Sequence, residues 1–144
     1  MINSLSLKYF FSYLGLIPYI ALTIDILYFN IFNKDILSNF LIYYSLIIIV
    51  FIGATNWSLE KNVSNFKIIY GFITSCFATL IVILNLYTYS KHLVYFIIIT
   101  LFFLQIIFDY LLIFKKNKKK KIFYFLRIPL SSVIILIFFI NLFL

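Results

Sequence analysis

Acidic residues are scarce in this chain. Asp25, Asp35, Glu60 and Asp109 are its four carboxylate side chains in 144 residues. Cysteine is scarcer: Cys76 stands alone, which excludes a disulfide within the chain and a thiolate metal site. His92 is the single histidine and has no neighbouring carboxylate or thiol with which to hold a metal or haem. Three widely separated glycines form no phosphate-binding loop. Glu60 and Asp109 could supply acid–base chemistry, but with no activated nucleophile or cofactor motif beside them no catalytic, cofactor or metal residue is assigned and an enzyme is not expected.

What is present is hydrocarbon. Hydrophobic residues make up 65% of the chain, and the mean hydropathy is +1.15. They do not fall into the stripes or alternation of a soluble domain. They fall into runs as long as a bilayer is thick, and a spanning helix needs about 20 such residues. Five runs are expected to be helices, at about residues 9–29, 39–59, 68–87, 93–114 and 122–142. The fold class predicted is therefore an all-α integral membrane protein, a single five-helix transmembrane bundle over residues 1–144.

Charge position sets the expected orientation. Lys8, Lys61, Lys67 and the six lysines between Lys115 and Lys121 share one side of a five-span chain. Only Lys34 and Lys91 lie on the other, and nine against two places the N-terminus inside and the C-terminus outside. The first run is too long for the apolar part of a signal peptide, and no small-residue cleavage motif follows it. The Lys115–Lys121 run is expected to meet anionic lipid headgroups. A nucleic-acid partner is not expected for so short a membrane hairpin.

The polar residues inside the runs are few enough to read singly. Asp109 lies six residues before Lys115, and Arg127 six residues after Lys121. At 1.5 Å per residue both sit about 9 Å from the lysine turn, on adjacent antiparallel helices. A bare carboxylate at that depth is costly, so an Asp109–Arg127 pair that fixes helix registry is expected. Gly53, Asn56, Trp57 and Glu60 recur on one face of the second helix, and Gln105 precedes Asp109 by one turn. Asn56, Trp57, Glu60, Gln105, Asp109 and Arg127 together are the candidate intramembrane polar site, read as a recess open to the cytoplasm. Packing competes with that reading at each position: Trp57 suits an interfacial belt, and Asn56 and Gln105 suit glue between helices. Gly71, Ser75 and Thr79 form a small-residue seam, read as a packing line. Pro18 and Pro129 lie several residues into their spans, so kinks with freed carbonyls are expected. Away from the lysine side the runs are nearly pure hydrocarbon, with Asp25 and Asn85 as exceptions.

Five motifs in order carry a resemblance: "GLIPY" from Gly15, "FIGATNWS" from Phe51, "YGFITS" from Tyr70, "LQIIFD" from Leu104 and "FYFLRIPL" from Phe123. The chain resembles the uncharacterised small membrane proteins typified by transmembrane protein 69 of animals and widespread in proteobacteria. Asn56 stands where that pattern usually has histidine and Ser58 where it has glycine, so no role needing an imidazole is implied here. The resemblance implies the five-helix fold and a bacterial inner membrane, and no established activity. The five-helix tryptophan-rich sensory proteins are a poor match, because this chain has one tryptophan and two prolines.

These features favour a non-enzymatic accessory or assembly component of a membrane complex, with a membrane-protein partner and no cofactor. The alternative is a small-ligand binding protein or transporter using the polar recess. The odd number of helices and the lack of an inverted repeat weigh against transport. The orientation has a direct test. Cysteines introduced in the Asp35 and His92 loops are expected to label from outside intact cells, and one at Asn117 only after permeabilisation. Outside labelling at Asn117 overturns the orientation.

Overall fold

The computed structural model describes residues 4–55, 65–87, 90–114 and 123–143, and those residues contain helices and connections with no strand. Five helical segments are long and apolar enough to cross a membrane: Tyr9–Phe29, Lys34–Ala54, Asn65–Tyr87, Lys91–Leu111 and Phe123–Leu142. Hydrocarbon offers the backbone no hydrogen-bond partner, so helices that bond to themselves are the form such runs take.

The first span is two helices, not one. Helix α1 runs Ser4–Leu14 and α2 runs Ile17–Ile24, with Gly15 and Leu16 forming a turn between them. Pro18 lies in the first turn of α2, where its missing N–H would have no helical acceptor in any case. The expected kink is thus a full break. A π-helical turn, Asp25–Phe29, ends the span, and Asn30 closes it in the left-handed region at φ 50°. Asparagine tolerates that conformation better than most residues. Buried Asp25 turns back over the connection and accepts hydrogen bonds from the N–H groups of Ile31 and Phe32, at 3.3 and 3.2 Å.

Helix α3, Lys34–Thr55, starts five residues before the apolar run suggested. Its start is set by a cap: the Asn33 side-chain oxygen accepts from the N–H of Asp35 at 2.8 Å. Helices α4 (Asn65–Tyr87) and α5 (Lys91–Phe114) follow. The last span opens with a π-helical turn, Phe123–Arg127, and continues as α6, Ile128–Leu142, with Pro129 in its first turn.

The closest partnerships are α3 with α4 and α5 with α6. Helix α3 also meets α5, and α2 packs on both α3 and α6, so α3 and α5 lie at the centre of the bundle. Tyr19, Leu41, Ile42, Ile98, Phe102 and Phe138 are fully enclosed there. Phe72, Phe77, Phe96, Phe103 and Phe139 face outward, as suits a surface solvated by lipid.

The small-residue seam is rotated from its expected line. Ser75 and Thr79 return their hydroxyls to their own helix, donating to the carbonyls of Gly71 and Ser75. Ser75 is half-buried and Thr79 exposed, and both border a shallow groove of about 560 Å³ beside Tyr43 and Val50. The buried line of α4 instead follows Gly71, Ala78, Ile81 and Asn85. The closest approach is at Gly53 of α3, where a Cβ would lie 2.0 Å from Thr74 Oγ1 and 3.0 Å from Thr74 Cβ. Thr74 is itself held by a 2.8 Å bond to the Gly71 carbonyl, so it does not yield freely.

Gly53→Ala is therefore expected to destabilise the protein by about 1–3 kcal/mol through overpacking. That loss outweighs the gain of up to about 1 kcal/mol that alanine brings to a helix interior. Thermal unfolding in mild detergent measures it. Thr74→Ala, which removes the nearest atom, is expected to restore part of the loss. An unchanged melting temperature for Gly53→Ala shows that α3 and α4 can separate without strain.

Candidate functional site

Two facing spans bring Asp109 and Arg127 together. Asp109 lies near the end of α5, and Arg127 closes the π-helical turn that opens the last span. Arg127 Nε and Asp109 Oδ2 are 3.5 Å apart, with side-chain exposures of 15% and 2%. The matched depths read from the lysine turn thus correspond to an ion pair. Because the π turn carries one extra residue per turn, it resets the face on which Arg127 emerges relative to α6.

Gln105, one turn from Asp109, is 4% exposed. Its Nε2 donates to the Ile49 carbonyl of α3 at 3.2 Å, so it is the interhelical glue the sequence suggested. Tyr70 of α4 completes this end, packing its ring on Phe108 with centroids 5.6 Å apart. Its hydroxyl faces the Gln105 side chain close by but outside hydrogen-bond geometry, and lies in the field of Asp109 and Arg127. Tyr70 Oη and Gln105 Oε1 are nonetheless both buried without a hydrogen bond. In the sequence Tyr70 stands out only within the motif that opens at it, because hydropathy groups tyrosine with the apolar residues. A tyrosine three residues after Lys67, at the same end as Asp109, was the available signal. Asn56, Trp57 and Glu60, the other members of the candidate site, lie outside the described residues. Gln105 and Asp109 are enclosed between helices.

A second polar cluster occupies the opposite end. Lys91 Nζ donates to Asn39 Oδ1 and to Asn85 Oδ1, the latter at 3.2 Å. Asn85 Nδ2 in turn donates to Asn39 Oδ1 and to Tyr43 Oη, each at 3.2 Å. One lysine thus joins α3, α4 and α5. Asn85 was singled out in the sequence as an exception, but its partners were not. Asn39 lies at an expected helix start, and Lys91 stands out in the sequence only as charge between two spans.

Tyrosines also close the proline breaks. In an α-helical register the Phe125 carbonyl would accept from residue 129, a proline with no N–H. It accepts instead from the Tyr13 hydroxyl of α1. The Gly15 carbonyl, at the break before Pro18, accepts from Tyr44 of α3 at 3.0 Å. Deeper in the bundle, Ser45 donates its one proton to the Leu41 carbonyl at 2.7 Å, so the 2.8 Å contact with Tyr19 is donated by the tyrosine.

The arrangement is thus chemistry of attachment: donors and acceptors on different helices, paired within hydrocarbon. A family model described as "Protein of unknown function (DUF3429)" matches residues 6–143. No curated protein matches the chain, and no solved structure does.

The Asp109–Arg127 pair has a sharp test. Leaving one charge buried alone costs roughly 3–5 kcal/mol, whereas replacing both partners with apolar residues is often near neutral. Snorkelling of Arg127 reduces the cost on its side. Asp109→Leu and Arg127→Leu are each expected to destabilise the protein more than the double substitution does, and exchange of the two residues to restore part of the loss. Strictly additive effects in the double-mutant cycle show that the pair carries no coupling.

Proposed function

We propose that this chain, which belongs to the DUF3429 family of proteins of unknown function, is a non-enzymatic accessory or assembly component of a larger membrane complex. One observation carries the reading. Among the described residues, polar side chains inside the bundle join one helix to another, as in Asp109 with Arg127, Gln105 with the Ile49 carbonyl, and Lys91 with Asn39 and Asn85. The outward faces are left to apolar side chains such as Phe72, Phe96 and Phe139. A protein built this way offers a rigid apolar exterior to lipid and to other membrane helices. The order of the five motifs supports grouping it with the transmembrane protein 69-like proteins.

The lysine distribution supports a cytoplasmic N-terminus and an external C-terminus, with the Lys115–Lys121 run against anionic headgroups, and the family resemblance supports a bacterial inner membrane. A small-ligand binding or transport role is the second reading. It is favoured by Tyr70 Oη and Gln105 Oε1, two buried polar atoms without a hydrogen bond beside the Asp109–Arg127 pair.

Gentle extraction, native sizing and identification of co-purifying proteins test the first reading. A stable assembly larger than the 17.2 kDa chain is expected, with neighbouring complexes depleted when the protein is lost. Recovery solely as a free monomer, with those complexes unchanged, overturns it. Reconstituted uptake or ligand-dependent thermal stabilisation then favours the second.

A further inference from the structure

From the two unpaired atoms at the Arg127 end, we infer that Tyr70 and Gln105 form a binding site for one neutral hydroxyl group, supplied by water or by a lipid alcohol. Tyr70 is 7% exposed and Gln105 4%, so bulk solvent does not satisfy either side chain. Leaving them unsatisfied would forfeit the hydration of each group with nothing in return. Turning the glutamine amide over is no remedy. Its Nε2 already donates to the Ile49 carbonyl, and a flipped amide would set one carbonyl oxygen against another. Gln105 Oε1 is therefore held as an acceptor and needs a donor. The phenol of Tyr70 carries a proton and needs an acceptor. A hydroxyl meets both needs at once, accepting from Tyr70 and donating to Gln105. The charge nearby argues against an ion. Asp109 and Arg127 are paired at 3.5 Å, so an anion meets the carboxylate and the Gln105 oxygen, and a cation meets the guanidinium. Buried waters of this kind make two to four hydrogen bonds and are integral to the structures that hold them. The site stands whether the protein is an accessory subunit or a carrier, because it needs no exchange of ligand.

Infrared spectra in the O–D stretching region test the site, using protein in nanodiscs of phosphatidylcholine, whose headgroup has no hydroxyl. Spectra of the wild type, Tyr70→Phe and Gln105→Met are compared in D₂¹⁶O and D₂¹⁸O. A band lost in both variants and shifted by ¹⁸O is expected, and identifies water. A band lost in both variants, insensitive to ¹⁸O and present only when phosphatidylglycerol is added, identifies a lipid alcohol. The absence of any such band overturns the site. So does an ¹⁸O-insensitive band already present in phosphatidylcholine with no ¹⁸O-shifted band beside it, which is a direct bond from Tyr70 to Gln105. Melting gives a second measure that needs only the removal of one oxygen atom. Tyr70→Phe is expected to lower the melting temperature if the hydroxyl is bridged. An unchanged or raised value shows that Tyr70 Oη was unsatisfied and overturns the site, even where Gln105→Met does not fold.

Discussion

A carbonyl that loses its helical donor in hydrocarbon has no water to turn to, and this chain offers such carbonyls at the turn before Pro18 and in the π-helical turn before Pro129. The rest of the bundle depends on how those carbonyls are satisfied. Tyr13 reaches the Phe125 carbonyl, and Tyr44 reaches the Gly15 carbonyl. Each bond comes from a different span, so repairing a local defect also fixes the position of a neighbouring helix. Asp25 acts locally at the end of the first span, where it gathers two N–H groups of the connection that follows. In lipid, where association of helices gains little from hydrophobic burial, such bonds and close packing are the available sources of specificity.

The polar clusters divide this work by depth. At one end, Lys91 with Asn39 and Asn85 joins α3, α4 and α5. At the other, Asp109, Arg127 and Gln105 join α5 to the last span and to α3. Between them lies an enclosed layer of Ile42, Ile98 and Phe102, apart from the Tyr19–Ser45 contact. Apolar side chains in lipid do not specify register well, because sliding one helix past another exchanges similar contacts. Two separated polar anchors and the Gly53–Thr74 approach do specify it.

Much of this was legible because membranes impose a simple rule on sequence. Runs of about 20 apolar residues gave all five spans, and the equal spacing of Asp109 and Arg127 from the lysine run pointed to their pairing. Three things were not legible. The start of α3 depended on a cap at Asn33, which lies outside any apolar run. The working face of α4 is Gly71–Ala78–Ile81–Asn85, because a 3.6-residue period departs from a strict four-residue seam over two turns. Most of all, hydropathy groups tyrosine with hydrocarbon. Tyr13, Tyr19, Tyr43, Tyr44 and Tyr70 all place their hydroxyls among polar groups, and a hydropathy scale does not record where a phenol ends. The Asn56–Trp57–Glu60 part of the candidate site lies outside the described residues, so its joint arrangement with Gln105 and Asp109 stays a matter of sequence pattern.

The bond between Tyr13 and the Phe125 carbonyl spans 112 positions of the chain. A ribosome delivers the tyrosine long before it delivers its partner, at roughly 5–20 residues per second. The first span therefore enters the bilayer without this contact and waits through the synthesis of the next three. Closure belongs to the moment when the last helix arrives. A chain halted before Phe125 has four spans and Tyr13 without this acceptor.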